Sequence, residues 1–162
     1  MKSINFLLLI TIIFFSCKES EVEPIFEENY GAGMYIVTDM GISFYDYNDS
    51  LSQINNQIFK TVNNIVINSP KKIKFKGTKA FIISENSIVT ANINTFEQRG
   101  EVSGFLNPVD FDFVSPDDRL FVVDRDDSKV KVVDINRMEI TSDIETGDNT
   151  NPIFIVSKWH RS

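Results

Sequence analysis

The sequence predicts an all-β fold, and three observations carry that expectation. A block of short strand-like segments recurs at a spacing of 40 to 46 residues. Inside each block, apolar and polar residues alternate with a period of two, the pattern of a half-buried strand entering a turn. No stretch sustains the helical period that a helical domain needs. Fourteen phenylalanines in 162 residues supply bulk for a packed β core.

The chain opens with "MKSINFLLLITIIFFSCKES". One lysine, Lys2, precedes an apolar stretch from Ile4 to Phe15 that only Asn5 and Thr11 interrupt. A short basic region before an apolar run of this length reads as a secretory signal, too short for a comfortable membrane span. Ser16 precedes Cys17, the only cysteine in the chain. A lone thiol cannot form an internal disulfide, so in an exported chain it needs another role. "FFSC" resembles the lipobox of bacterial lipoproteins, in which the cysteine becomes the new N-terminus and carries acyl chains. Phe14 and Phe15 depart from the leucine and small residue of a stricter lipobox. The plainer alternative is an ordinary signal peptide with an incidental cysteine.

Residues 1–16 are therefore read as a lipoprotein signal peptide and residues 17–32 as an acidic flexible tether. "KESEVEPIFEEN" holds five glutamates in twelve residues. It has too little apolar surface to offset the entropy of ordering it. It resembles the acidic stretch that directs some lipoproteins to the outer cell surface. Loss of residues 1–16 removes only Lys2 from the charge count, taking the net charge from −7 to −8. An acidic body of this kind lacks the footprint of a nucleic-acid binder. Membrane attachment would come from the lipid, not from a basic patch.

Residues 33–162 form the repeat. The leading strand of each unit is aromatic-led: "GMYIVTD" at 33–39, "KAFIISE" at 79–85 and "RLFVVDR" at 119–125. From Tyr35 to Phe81 is 46 residues and from Phe81 to Phe121 is 40. A second strand follows each: "GISFYDYND", "SIVTANINT" and "KVKVVDINR". A third, weaker one comes next: "NNQIFKTVNN", "TFEQRGEVSG" and "RMEITSDIETG". A fourth begins at a proline: "PKKIKFKG" at 70, "PVDFDFVS" at 108 and "PIFIVSK" at 152. Four strands at this period mark a propeller blade. A β-sandwich is the rival, but it has no reason to repeat the order of aromatic, aliphatics, Asx turn and proline.

The strand count runs three, four, four and one, and the first unit lacks its innermost strand. The expectation is a partial β-propeller of about three four-stranded blades, open or incomplete, where a closed ring has typically four to eight. Three readings of that shortfall stand. The chain is a truncated product, or copies associate edge to edge, or 152–157 closes onto the first unit. Open sheet edges invite self-association.

The unit "NPVDFDFVSPDDRLFVVDRDDSKVKVVDINRMEITSDIETGDNTNP" resembles one blade of the YVTN/YncE-like propellers. Pro108, Phe121 to Val123, Val130 to Asp134, Ile140 to Gly147 and Pro152 occupy the places of that repeat. The resemblance covers 33–162. The unit at 70–107 departs from it, with Asn94 after "NI" and no terminal aspartate. The resemblance implies an outer-membrane lipoprotein exposed at the surface. One branch of the family hands corrinoids to an outer-membrane transporter, which implies capture of a small-molecule ligand and such a transporter as partner. A propeller is a scaffold, so its ligand is set by its loops.

Chemistry is sparse. The only histidine, His160, has no Ser-His-Asp or Cys-His setting. There is no phosphate loop and no metal-ligand spacing of His or Cys. No cofactor is predicted. "DRDDSK" offers carboxylates at Asp124, Asp126 and Asp127 that could hold Ca²⁺, but it lacks the Gly and distal Glu of a calcium loop. A hairpin turn with solvated aspartates is the expected reading, and "DMG" at 39–41 and "SENS" at 84–87, at the same point in their units, are not acidic clusters, which argues against a repeated metal site. "VSPDDR" at 114–119 is a turn of type I geometry. "DSL" at 49–51 resembles an O-glycosylation acceptor.

In a propeller, the loops between outermost and next innermost strands share one end with those between second and third strands. That end carries the candidate ligand-binding residues Asp39, Glu85, Asn86, Asn107, Arg125, Asp126 and Asn151. The leading function is a non-enzymatic, lipid-anchored binding module, on the surface or in the periplasm, for a small molecule, glycan or partner protein. The rival is a lyase- or lactonase-type enzyme with an axial metal, which needs inward acids from several blades. Asp110 and Asp112 sit on one innermost strand, but Lys72 and Lys74 hold the matching places of another. A fragment without function is the third reading.

Overall fold

The computed structural model describes residues 30–48, 51, 53–114 and 118–158. The signal peptide, Cys17, most of the tether, Asp49 and Ser50 of "DSL", residues 115–117 of "VSPDDR" and His160 lie outside the described residues. The fold is all-β, in three antiparallel sheets of two, four and four strands, none closed on itself. The first sheet pairs β1 (Gly33–Thr38) with β2 (Gly41–Asp46). The second runs β3 (Lys72–Lys76), β4 (Lys79–Ser84), β5 (Ser87–Asn92) and β6 (Gln98–Ser103). The third runs β7 (Pro108–Val114), β8 (Arg119–Asp124), β9 (Lys129–Asp134) and β10 (Glu139–Glu145). Each four-stranded sheet is a meander, its strands adjacent in the order of the chain. This is the expected open, partial propeller.

Turn chemistry fixes the registers. Two residues join β1 to β2, with Thr38 paired to Gly41 and the Thr38 hydroxyl accepting from the Met40 N–H at 3.2 Å. Two residues also join β4 to β5, with Ser84 paired to Ser87. Between β3 and β4, Gly77 has a φ of +58°, a left-handed conformation that costs glycine nothing.

The sheets pack through two cores. One lies between the first and second sheets and joins Ile42, Phe44, Ile58 and Phe59 to Ala80, Ile82, Val89, Ala91 and Phe96. The other lies between the second and third sheets and joins Phe81, Ile83, Ile88 and Val102 to Phe111, Leu120, Val122 and Val133. The alternation along β4 explains the split: Ala80 and Ile82 enter one core, Phe81 and Ile83 the other. A strand covered on both faces reads as a nearly continuous apolar run, as "KAFIIS" does.

The first unit departs from expectation. "NNQIFKTVNN" was expected as a third strand, but Ile58–Asn63 is a helix, α1. The cause lies in which faces are covered. A strand would send Ile58 and Phe59 to opposite faces, and among the described residues only one face of this sheet meets a core. A helix gathers Ile58, Phe59 and Val62 on one side, against that core. One trace of strand pairing survives: Phe44 and Asn55 exchange backbone hydrogen bonds of 2.9 and 2.8 Å. Asn63 then ties the helix to the second sheet. Its amide donates to the Phe59 and Phe96 carbonyls at 2.9 and 3.1 Å, and its oxygen accepts from the Gln98 N–H at 2.8 Å. The expected strand at 152–157 is likewise not laddered to another strand among the described residues. Its N–H groups go to side chains instead, as described next.

Candidate functional site

The loop end carries two groups of polar side chains. The first lines an open cleft of about 600 Å³, to which Asp39, Gln57, Lys60, Asn68, Ser69 and Glu85 contribute. The turn after β1 supplies Asp39, and the equivalent turn after β4 supplies Glu85. The backbone holds Glu85 in place: its N–H donates to the Asn68 carbonyl at 2.9 Å, and the Ser84 hydroxyl donates to the same oxygen at 3.0 Å. Gln57 and Lys60 come from α1 and the residue before it, so the helix substitution described above builds part of this cleft.

The second group links the second and third sheets. The Lys71 ammonium donates to the Asn107 side-chain oxygen at 2.6 Å and to the Pro108 carbonyl at 2.9 Å. The Asn107 amide donates to Asp126 at 2.9 Å, and Arg125 donates to the same carboxylate at 3.2 Å. Burial, with the Arg125 charge beside it, lowers the pKa of Lys71. The Asn107 and Arg125 hydrogen bonds lower that of Asp126.

Asp124 has a structural role. It is fully buried, and its carboxylate accepts from the Leu106 N–H at 2.9 Å and the Asn107 N–H at 2.7 Å. It thereby shapes the loop before β7. Asp127 turns to Lys131 at 2.8 Å, and the same ammonium lies 3.6 Å from Asp124, while Asp126 is held by Asn107 and Arg125. The three aspartates of "DRDDSK" sit around the 3₁₀ turn Arg125–Asp127. Among the described residues, no three His, Cys, Asp or Glu side chains converge as a metal site would require.

Of the seven residues singled out on the loop end, Asp39 and Glu85 share the cleft, and Asn107, Arg125 and Asp126 share the hydrogen-bonded group. Asn86 contributes its carbonyl to the Phe105 N–H at 3.4 Å and lines neither. Asn151 is exposed in the loop after β10 and also lies outside both. Lys60 and Lys71 were not anticipated. The position of Lys71, directly after the proline that opens a unit, was a signal that could have found it.

The innermost strands form a polar ladder. Lys72 is hydrogen-bonded to Asp110, and Lys74 donates to Asp112 at 2.7 Å. The second oxygen of Asp110 accepts from the Ile155 N–H, and that of Asp112 from the Ser157 N–H, both at 2.9 Å. Each carboxylate also accepts the N–H of the residue after it, at 2.8 Å from Phe111 and 3.0 Å from Phe113. Burial opposes the charge on Asp112. The Lys74 ammonium, the Ser157 hydroxyl and the N–H groups of Ser157 and Phe113 outweigh it and hold the carboxyl well below the usual carboxylate range. The two acids thus join neighbouring inner strands.

No helix among the described residues is long and apolar enough to cross a membrane. No family model matches the chain, and no curated protein does. Among solved structures, the chain is similar to a chain of Kuenenia stuttgartiensis hydrazine synthase, with 26% identity and a TM-score of 0.48. The match covers 52% of this chain and 25% of that one.

Proposed function

We propose that the chain is an exported, lipid-anchored binding protein that captures its ligand at the loop end. The observation that carries this reading is the cleft of about 600 Å³ in which turns from two successive units place Asp39 and Glu85 beside Lys60. Acids, an amine and amides around one opening suit a ligand rich in hydrogen-bonding groups, such as a glycan or an amide-bearing small molecule. A corrinoid belongs to that chemistry and comes from the family resemblance of the repeat. Cys17 would carry the lipid and hold the body at the outer membrane, within reach of a transporter.

The axial-metal reading finds less support, because Asp110 and Asp112 are engaged by Lys72, Lys74 and backbone N–H groups. Two measurements test the proposal. Labelled palmitate should enter the wild-type protein in cells and not Cys17→Ala. In NMR titrations with oligosaccharides and cyanocobalamin, shifts should gather at Asp39, Lys60 and Glu85. Glu85→Ala should weaken binding about tenfold, the cost of one charged hydrogen bond. Absence of label, or shifts confined to the other end of the sheets, would overturn the reading.

A further inference from the structure

Among the described residues, two edges of the body lack the strand that the repeat would give them. One is the edge of β1, which pairs only with β2. Thr38 and Gly41 close a two-residue hairpin, and such closing pairs exchange hydrogen bonds. Met34, Ile36 and Thr38 therefore bond to β2, while Tyr35 and Val37 turn their N–H and C=O groups outward. In the second and third sheets a proline-led strand, β3 or β7, fills this place. A cavity of about 450 Å³ opens beside the edge, lined by Gly33, Tyr35, Phe75 and Ile93 among others.

The other edge belongs to the proline-led segment 152–157. Its Ile155 and Ser157 N–H groups, two residues apart, donate to Asp110 and Asp112, two residues apart on β7. The segment therefore runs extended beside β7 and in the same direction, as β7 runs beside β3 through the Lys72–Asp110 and Lys74–Asp112 pairs. In an extended strand, successive N–H groups face opposite edges. Phe154 and Val156 thus turn theirs away from the two carboxylates, toward an edge where no described strand pairs. Their side chains are 68% and 76% exposed.

We infer that each edge is completed by the other in a second copy of the chain: residues 152–157 of one copy form the innermost strand of its partner's first sheet, and two copies close a ring. Register is the first argument. Lys74 stands four residues after Pro70 and pairs with Phe81, and Asp112 stands four after Pro108 and pairs with Phe121. Val156 stands four after Pro152, so it pairs with Tyr35, and Phe154 pairs with Val37. Tyr35 and Val37 face the core between the first and second sheets. Cross-strand partners share a face, so Phe154 covers Val37 and Val156 enters the cavity beside Phe75. Phe75 is otherwise 44% exposed.

The second argument is that the open faces match. Ile42 and Phe44 of β2 enter the first core, so Met34, Ile36 and Tyr45 lie on the far face of the first sheet. Leu120, Val122 and Val133 enter the second core, so Phe121, Val130 and Val132 lie on the far face of the third, joined by Ile144 opposite Val130. Among the described residues, no sheet covers either face. Stacking the first sheet of one copy on the third sheet of the other sets the two apolar faces together. It also continues the packing that joins successive sheets within one copy. The third argument is closure. Two copies hold six sheets, three from each, inside the typical four to eight blades of a closed propeller. A third copy would exceed that range.

The chain without residues 1–16 and with Cys17→Ser keeps every group used here and carries no lipid, so its outcome is independent of the palmitate result. Light scattering should give the mass of a dimer that parts on dilution, when the first sheet again has a single neighbour. The Tyr35 and Val37 amides should be protected from exchange in the dimer and released on dilution, with Ile36 protected in both. Val156→Asp, at a side chain exposed in the single copy, should weaken the dimer at least about 100-fold by burying an unpaired charge. Ile36 and Ile155 oppose each other in the same register, in a pair without hydrogen bonds whose Cα atoms lie near enough for a disulfide. Ile36→Cys with Ile155→Cys should therefore give a covalent dimer on a non-reducing gel. A monomer at every concentration, or a dimer that Val156→Asp leaves intact, would overturn the inference. A disulfide-closed monomer would place the segment on the first sheet of its own copy, and a ladder of higher multiples would leave the ring open; either would also overturn it.

Discussion

In the second sheet, β4 sends Ile82 into one core and Phe81 and Ile83 into the other, and all three are at most 1% exposed. In the first sheet, β1 holds the same place in its unit, yet Tyr35 and Val37 only flank a core and Met34 is 44% exposed. The two strands share a spacing, an aromatic lead and a two-residue turn. They differ in what covers them. Among the described residues, the central sheet has a neighbour on each face, while the first has one, and a helix in place of its third strand. A repeated sequence therefore yields units of unequal stability, set by neighbours more than by propensity.

The largest expected effect is at the equivalent aromatics. Phe81 is 1% exposed and packs edge-on against Phe113 at 5.1 Å. Its replacement by alanine should cost about 3–5 kcal/mol in urea denaturation. Tyr35 is half-buried, donates its hydroxyl to the Tyr30 carbonyl at 2.9 Å and has its phenol pushed up to about 12, chiefly by burial. Tyr35→Ala should cost about 2 kcal/mol. Equal costs would break the comparison.

Next comes Asn63, two of whose three side-chain hydrogen bonds, to Phe96 and Gln98, fasten α1 to the second sheet. Asn63→Ala strands the Gln98 N–H and should cost about 1.5–3 kcal/mol. The loss should fall on the first sheet, visible as faster exchange at Phe44 with β4 unchanged. Uniform loss across both sheets would mean that Asn63 stabilises the whole body and not a seam.

The smallest effect is confined to acid. The pKa of Asp112 is lower in the folded state than the ordinary 3.8. The stabilisation is thus present above about pH 4 and is lost as pH falls below it, because the unfolded chain takes up the proton first. Asp112→Asn should flatten stability against pH below 4 and leave its slope near neutrality unchanged. An unchanged acid limb would remove the inner ladder as a source of stability.

Much of the fold was legible because a half-buried strand leaves a period-two trace and a strand covered on both faces leaves a short apolar run. "KVKVVD" begins with the first and "KAFIIS" and "RLFVVD" show the second, and their boundaries were found to within a residue or two. The segment at 55–64 was not legible. Ile58, Phe59 and Val62 suit a strand or a helix in so short a run, and only the one-sided core decides between them.

At the loop end, the pairing of Asp39 with Glu85 followed from aligning the turns. Lys60 did not, because it depends on the helix. Asp110 and Asp112 were seen to hold the places that match Lys72 and Lys74, but no pairing between them was anticipated. In the structure they bond to those lysines and to backbone N–H groups, because the innermost strands lie near enough for side chains to span them.

Native-state hydrogen exchange in rising sub-denaturing urea tests the central claim, unequal stability of repeated units, most directly. The account predicts that the β4 and β5 amides, from Phe81 to Ile83 and from Ile88 to Thr90, open only with global unfolding. Ile36 and Phe44 should open at lower free energy, in a separate step with smaller urea dependence. A single isotherm shared by all these amides would contradict it.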